Sequence, residues 1–328
     1  MRSLVLEAPG QIALREVPIP EPGPGELLIR VRAATTCGTD LKAFRRGHPQ
    51  IPMPGPFGHE YSGEVVAVGE NAKFQPGDAI MGVHSAPCQH CFWCRRDQEN
   101  LCESIMATKV LGSYAEYLLV PARIANLNVY AKPANLSFGE ASLLEPLACV
   151  AQGLLSAKPP ETALIIGPGA IGLMFVAALR AQNARVTLAG RNPARLTVGE
   201  FLGAEITSLD DIKLPDQRGY DLVIECTGQV PIWERSVDFV RRGGEVILFG
   251  GPPGGTRASF DTHRLHYDQI TLLSPFHFGT KAVRQAHDWL KSGLHLAPLL
   301  TGERPLEDGR AIFDDLEAGR GIKYLVTP

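Results

Sequence analysis

The sequence predicts an α/β protein of two domains, one rich in short β-strands and one a doubly wound parallel sheet. Three observations lead there. The apolar run Ala163-Leu164-Ile165-Ile166 enters Gly167-Pro168-Gly169-Ala170-Ile171-Gly172, a G-x-G-x-x-G turn, and Leu173 to Arg180 continues as helix before a second strand at Arg185 to Ala189. Strand, glycine turn, helix and strand in that order make a βαβ unit, whose glycines let backbone amides approach a pyrophosphate at a helix N-terminus. Strand and helix patterns then alternate to about residue 275, which implies a parallel sheet with ligand at its carboxyl edge. Residues 1 to 35, in contrast, read as short strands punctuated by Pro18, Pro20, Pro22 and Pro24 and ending in the alternating Leu27 to Ala33.

At 328 residues and 45% hydrophobic, the chain is long enough for two substantial cores. A net charge of −3, with Lys and Arg scattered, gives no electrostatic reason to expect nucleic acid or a membrane surface as partner. The N-terminus, Met1 to Glu7, lacks the apolar core of a signal peptide, so the expected location is cytoplasmic. Ala163 to Leu179 carries no charge over 17 residues, but its three glycines and proline fit a strand-turn-helix, and ~20 residues are needed to cross a bilayer. Seven cysteines, four of them in one short cluster, favour thiolate metal ligands over a disulfide framework. There are no internal repeats beyond the strand-helix alternation and no low-complexity tract.

In chain order, Cys37-Gly38-Thr39-Asp40 follows the Leu27 to Ala33 strand, and Asp40 to Arg46 reads as a short helix capped by Thr39 or Asp40. Gly58-His59-Glu60-Tyr61-Ser62-Gly63-Glu64 then sets an imidazole and a carboxylate side by side at the start of an apolar strand ending at Gly69. Cys, His and Glu are zinc's preferred donors, and three of them with a fourth position open make a catalytic site. Cys37, His59 and Glu60 are the candidates, with Glu145 of Glu145-Pro146-Leu147-Ala148 beside them, bound directly or through water. Asp40 either hydrogen-bonds the free ring nitrogen of His59 or is a capping, solvated aspartate.

Pro76-Gly77-Asp78 is a turn before the strand Ala79 to Val83. The cluster Cys88, Cys91, Cys94 and Cys102 follows; four thiolates close a coordination shell, so this is a structural zinc that stiffens a loop without its own core, with His90 solvated. Gly112 to Pro121 returns to strand, and a helix starts near Ser137 with Glu140 at capping-box spacing. A glutamate followed by proline inside an apolar stretch is poorly explained as surface, which is why Glu145 joins the metal candidates. Cys149, one helical turn on, is a small buried hydrophobe or a reserve ligand.

The second strand of the βαβ unit ends Ala189-Gly190-Arg191-Asn192-Pro193-Ala194-Arg195, without the acid that would bind a ribose 2′-hydroxyl. Arg191 can instead meet a 2′-phosphate bidentately, so NADP(H) is expected over NAD(H). Gly167, Gly169, Ala170, Ile171 and Gly172 take the pyrophosphate; Gly190, Arg191, Asn192 and Arg195 take the adenosine end; Thr227 and Gly250, at later strand ends, line the nicotinamide side. The remaining strands fall at Glu205 to Thr207, Asp221 to Glu225, Glu245 to Gly250 and Ile270 to Ser274. From Phe276 the chain rejoins the first domain through a helix over Lys281 to Lys291, a proline-bounded link, a helix over Glu307 to Ala318 and a strand Ile322 to Val326.

Cys-Gly-Thr-Asp at 37–40, Gly-His-Glu at 58–60 with Gly63 and Val68-Gly69, the four-cysteine cluster and the glycine turn, in that order, resemble the zinc-containing medium-chain alcohol dehydrogenases over nearly the whole chain. Glu-Pro-Leu-Ala at 145–148 is most similar to the polyol (sorbitol) and threonine dehydrogenase branch. The resemblance implies a GroES-like catalytic domain from residues 1–152 and 276–328, a Rossmann domain over 153–275, and two zincs per chain. It implies hydride transfer between NADP(H) and a secondary alcohol or its ketone, a polyol, sugar or amino-alcohol, in the cleft between the domains. Glu60 and Thr39 would be catalytic, Thr39 as the hydroxyl that takes the substrate's proton hydrogen bond. Lys42 stands where many relatives place a histidine that passes the proton to solvent, and a lysine carries protons only if burial lowers its pKa. A homodimer or homotetramer is implied, the 270–274 strand pairing with its symmetry mate. Three rivals remain: a zinc-independent quinone or enoyl reductase on the same fold, an L-threonine 3-dehydrogenase-like NAD enzyme, and a nucleotide-binding protein without catalysis. The ligand set and cysteine cluster weigh against the first, and Cys37, Thr39, His59 and Glu60 together against the last.

Overall fold

The computed structural model describes residues 1–328, which divide into two compact units: Met1–Ala148 with Phe278–Pro328, and Cys149–His277. In the first unit, apolar strands with period-two burial stack into a seven-stranded sheet. Its order is Leu300–Pro305, Lys323–Thr327, Leu27–Thr35, Tyr61–Val68, Ala79–Gly82 and Val129–Ala131, with Tyr117–Val120 also paired to Leu27–Thr35. A smaller sheet joins Gln11–Glu16, Arg2–Ala8 and Gly55–Pro56. Leu27, Ile29, Val31, Phe57, Tyr61, Val65, Tyr114 and Phe313 are among the side chains that fill the core between these layers. Because the Lys323–Thr327 strand pairs antiparallel with Leu27–Thr35, Val326 opposite Ala34, the two chain ends are stitched into one sheet.

Several elements differ from expectation. The helix after the third strand runs Gly38–Arg46 and is capped by Cys37, not by Thr39 or Asp40. Its Sγ accepts from the Thr39 amide at 3.4 Å, and the Asp40 carboxylate accepts from the Cys37 amide at 3.2 Å, a reciprocal box with sulfur in the serine's place. The expected proline-bounded link contains a strand, Leu300–Pro305, parallel to Lys323–Thr327. It lies at the sheet edge, where a proline without an amide donor does no harm. The helix Ala122–Asn128 and the strand Val129–Ala131 were also not expected.

The second unit is a six-stranded, all-parallel sheet ordered Glu205–Thr207, Arg185–Ala189, Thr162–Ile166, Tyr220–Glu225, Val240–Leu248, Thr271–Leu273. In chain order that is 3-2-1-4-5-6, the doubly wound arrangement whose ligands bind at the carboxyl edge beside the first strand. The helix Ala170–Ala181 follows that first strand and is buried from Gly172 to Leu179, so the uncharged run divides into a buried strand and a buried helix. No helix is long and apolar enough to cross a membrane.

Candidate active site

The first unit brings the histidine and carboxylate of the Gly58-His59-Glu60 segment to Cys37 through strand pairing: Tyr61 opposes Ala34, and the Thr35 amide donates to the Glu60 carbonyl at 3.4 Å. Gly58 has φ +88°, and its carbonyl accepts from the amides of Gly112 and Ser113 at 2.9 and 3.2 Å. A Cβ there would lie 2.5 Å from Ser113 Oγ, so both backbone sign and space require glycine before the histidine.

One donor atom each from Cys37, His59 and Glu60 lies within 4.8 Å of the others. That spacing, about twice a zinc–ligand bond of ~2.0–2.3 Å, suits atoms around a common cation. His59 and Glu60 are buried and Cys37 half-buried. Asp40, fully buried, places Oδ1 3.1 Å from His59 Nδ1 and accepts from the Tyr114 hydroxyl at 2.6 Å. The contact occupies one ring nitrogen and leaves Nε2 as the ligand atom. Burial opposes a charge on His59, but Asp40 and Cys37 outweigh it and hold its pKa well above the ordinary value. Burial pushes Glu60 up to about 7, against the pull of Lys323 and with a further push from Glu145. The Cys37 thiol with the Asp40 and Glu60 carboxyl groups around the His59 imidazole, Lys323 being paired to Glu60, makes a donor set of the kind a divalent cation fits.

Two of the groups that shape this pocket were not foreseen. Lys323, 1% exposed, pairs with Glu60 at 2.6 and 2.9 Å and also donates to the Thr36 carbonyl; Thr35 donates its hydroxyl to Glu60 as well. Burial lowers the Lys323 pKa, but Glu60 and Cys37 more than restore it and leave it raised. A lysine in the otherwise apolar run Ile322 to Val326 was the available signal. His84 sits just after the strand Ala79–Gly82, its Nδ1 3.1 Å from a Glu145 oxygen and its ring edge-on to His59 at 5.1 Å and to Phe278 at 5.7 Å. No motif marks it. Glu145, in the first turn of the helix Leu144–Leu155, is therefore beside His84 and outside the three-donor group. Thr39 is half-buried on the first turn of Gly38–Arg46, and Lys42 is exposed one turn on. Cys149 lies on the same helix as Glu145 and belongs to neither donor group.

Cys88, Cys91, Cys94 and Cys102 form a second group within 4.8 Å. Its segment has little core of its own, Ile105 with Trp93 and Met106, so thiolates on one ion would be its main tie. The amides of Cys94 and Glu103 lower the Cys91 thiol to about 6, whereas burial and the contact with Cys91 push the Cys94 thiol up to about 12, so one proton is shared unevenly among crowded sulfurs. His90 is exposed, with Nδ1 2.7 Å from the Cys88 carbonyl.

In the second unit, Gly167 turns the chain at φ +112°, and a Cβ on Gly172 would fall 2.1 Å from the Gly167 carbonyl. Gly169 caps the helix Ala170–Ala181, and nothing lies within 4 Å of where its Cβ would be, so the amides of Ala170 and Ile171 are open to an approaching anion. Gly190 and Arg191 end the neighbouring strand; Arg191 is exposed, and Asn192 caps the helix Pro193–Phe201 by accepting from the Arg195 amide at 3.1 Å. Arg195 is half-buried, which lowers its pKa. At the strand ends, buried Glu225 gathers the amides and hydroxyl of the Thr227-Gly228 turn, and Trp233 donates to the Gly250 carbonyl at 2.9 Å. The acid thereby fixes the backbone that carries Thr227 and packs Gly228 against Gly250.

Comparison with known proteins agrees with this arrangement. Residues 23–129 match the family described as alcohol dehydrogenase GroES-like domain, and residues 170–292 the family described as zinc-binding dehydrogenase. L-threonine 3-dehydrogenase of Shigella dysenteriae serotype 1 is 30% identical over 98% of this chain and 98% of its own. Among solved structures, a proposed zinc-binding dehydrogenase from Sinorhizobium meliloti 1021 bound to NADP superposes with a TM-score of 0.90 at 28% identity, over 100% of this chain and 99% of that one. Alcohol dehydrogenase TADH from Thermus sp. ATN1 gives 0.89 at 29% identity, over 100% of both chains.

Proposed function

The chain belongs to the zinc-containing medium-chain alcohol dehydrogenase family and is an oxidoreductase, and from that premise we propose that it transfers a hydride between NADP(H) and a secondary alcohol of the polyol, sugar or amino-alcohol kind. The observation that carries the reading is the convergence of Cys37, His59 and Glu60 donors within 4.8 Å. Zinc held by these three, with Glu145 close by directly or through water, supplies Lewis acidity toward an alcohol or carbonyl oxygen. Asp40 fixes the tautomer and orientation of His59. Lys323 and Thr35 hold the Glu60 carboxylate in place. Thr39 accepts the hydrogen bond of the substrate hydroxyl and guides its proton outward, and because Lys42, at i+3 on the same helix, is exposed and not buried, another group completes the path to solvent. Cys88, Cys91, Cys94 and Cys102 hold a second, structural zinc.

Gly167, Gly169, Ala170, Ile171 and Gly172 receive the pyrophosphate, and Gly190, Asn192 and Arg195 the adenosine end; Arg191, exposed where an acid would repel it, meets the 2′-phosphate. Thr227 and Gly250 line the nicotinamide side. A cytoplasmic homodimer or homotetramer working mainly in reduction completes the reading. Full-length likeness to an L-threonine 3-dehydrogenase favours a second reading, oxidation of a threonine-like amino-alcohol with NAD.

Cofactor reduction measured across polyols, L-threonine and simple secondary alcohols, with NADP and NAD in parallel, separates the two. Saturation at lower NADP than NAD concentration is expected, and the reverse order overturns the cofactor assignment. Metal analysis is expected to find two zincs per chain; a fully active enzyme without zinc would be a quinone or enoyl reductase instead.

A further inference from the structure

We propose that Tyr114 is a positioning residue of the metal site: its hydroxyl sets the Asp40 carboxylate that orients His59, and the hold of Cys37, His59 and Glu60 on zinc depends on it. The inference rests on the dehydrogenase reading and adds to it a residue outside the donor group.

The stretches on both sides of Cys37 and the one before His59 meet on this side chain. The Tyr114 hydroxyl lies 2.6 Å from Asp40 Oδ2 and 3.1 Å from the Thr35 carbonyl, so it bridges residues before and after Cys37. Its ring lies against Gly58, where a Cβ would fall 2.8 Å from Tyr114 Cγ and Cδ2, immediately before His59. The Tyr114 amide donates to the Phe57 carbonyl at 3.1 Å, which secures the same contact through the backbone. The ring is fully buried, edge-on to Phe57 at 5.5 Å and to Phe313 at 6.3 Å, and close packing keeps it there.

Asp40 needs that support. It is fully buried, and the last torsion of its side chain, which turns the carboxylate plane, is a soft one. An ionised carboxylate has no proton to give, so the phenol is the donor. Tyr114 and the Cys37 amide, at 2.6 and 3.2 Å, both address Oδ2. Oδ1 is left for the imidazole: it has no other hydrogen-bond partner and lies 3.1 Å from His59 Nδ1. With Oδ2 pinned, the carboxylate plane is set and Oδ1 is aimed at the ring. Without the phenol only the longer bond from the Cys37 amide remains, and Oδ1 can swing off the imidazole. A core tyrosine in need of an acceptor would be satisfied by the Thr35 carbonyl; the shorter, charge-assisted bond goes to Asp40.

The test is zinc affinity in the full chain, measured by competition against a chelator, with the four-cysteine group as internal reference. Tyr114→Phe keeps the ring and removes one oxygen. It is expected to weaken zinc at Cys37, His59 and Glu60 about 10-fold, the low end of the effect of groups that support a metal ligand, and to leave the four-cysteine group within about twofold. Asp40→Ala should weaken the same site about 10–100-fold, and Tyr114→Phe added to it should cost no more than about twofold further, because the hydroxyl acts through the carboxylate. A packing defect would weaken both zinc groups alike or persist without Asp40, and either result, or no loss at all, overturns the proposal. Should Asp40→Ala fail to fold, Tyr114→Phe alone still decides, by the difference between the two groups. A wild-type chain that binds a single zinc, at the four cysteines, would refute the catalytic-zinc reading and the proposal with it. Two zincs with unchanged affinities in Tyr114→Phe would refute the proposal and leave that reading standing.

Discussion

Lys323 and Glu60 stand 263 positions apart in the chain and share one buried ion pair at the candidate donor group of Cys37, His59 and Glu60. Two charges taken from water cost several kcal/mol each, and only their mutual attraction and the hydrogen bonds from Thr35 and to the Thr36 carbonyl offset that. Removing one partner strands the other. Lys323→Met is therefore expected to destabilise the protein by about 3–5 kcal/mol, whereas Lys323→Met with Glu60→Gln should recover much of the loss. Urea unfolding at neutral pH measures both; equal destabilisation by the single and double variants would mean that the pair contributes packing alone. Residues of this kind define how far the sequence can be read. Cys37, His59 and Glu60 are legible because donor chemistry names them without geometry. Lys323 and His84 are not, because a lone lysine or histidine acquires its place only from a neighbour on a distant segment.

At the scale of elements, legibility follows the length and purity of the local pattern. The glycine turn with its flanking strand and helix can be read from one 20-residue window, since each glycine answers a local demand of turn or close approach. The strand Leu300–Pro305 cannot, because its alternate residues are only half hidden at a sheet edge and its pairing partners lie 22 or 23 residues on. The Gly38–Arg46 cap was misplaced because cysteine is not an ordinary capping residue, and it caps here only with Asp40 completing the box. In the second unit one side chain secures the start of the sheet. Asp221 accepts from the amides of Glu161 and Thr162 at 3.0 and 2.7 Å, from the Thr162 hydroxyl at 3.0 Å and from Arg241 at 2.6 Å. Burial opposes its ionisation, but these donors prevail and hold its pKa below the usual carboxylate value. The native state then binds fewer protons than the unfolded one, so this contribution is present above the unfolded aspartate pKa of ~3.9 and is lost as pH falls through the lower folded value. Asp221→Asn is expected to cost about 1–2 kcal/mol at pH 7, with the gap to wild type closing toward pH 3. A gap independent of pH in denaturant titrations would show that the charge of Asp221 does not matter.

For the whole molecule, chain order and spatial assembly separate the two ligands. Both groups of side chains that could hold a metal lie in the unit built from both chain ends, and the glycine turn lies in the unit inserted between them. A ligand that binds only folded protein stabilises what it binds by RT ln(1 + [L]/Kd), about 2.7 kcal/mol at a hundredfold excess over Kd. Scanning calorimetry should consequently resolve two transitions that answer to different ligands. Chelation of zinc is expected to lower the transition of the Met1–Ala148 and Phe278–Pro328 unit by several degrees and to leave the other nearly in place. NADP at a hundred times its Kd is expected to raise the transition of the Cys149–His277 unit, and NAD at the same concentration to raise it less. The inserted unit has its own core of Leu164, Val223, Val246 and their neighbours, so its response does not require metal. One cooperative transition that shifts equally with metal and with nucleotide would mean that neither unit unfolds without the other, and the assignment of each ligand to its own unit would then have to come from binding alone.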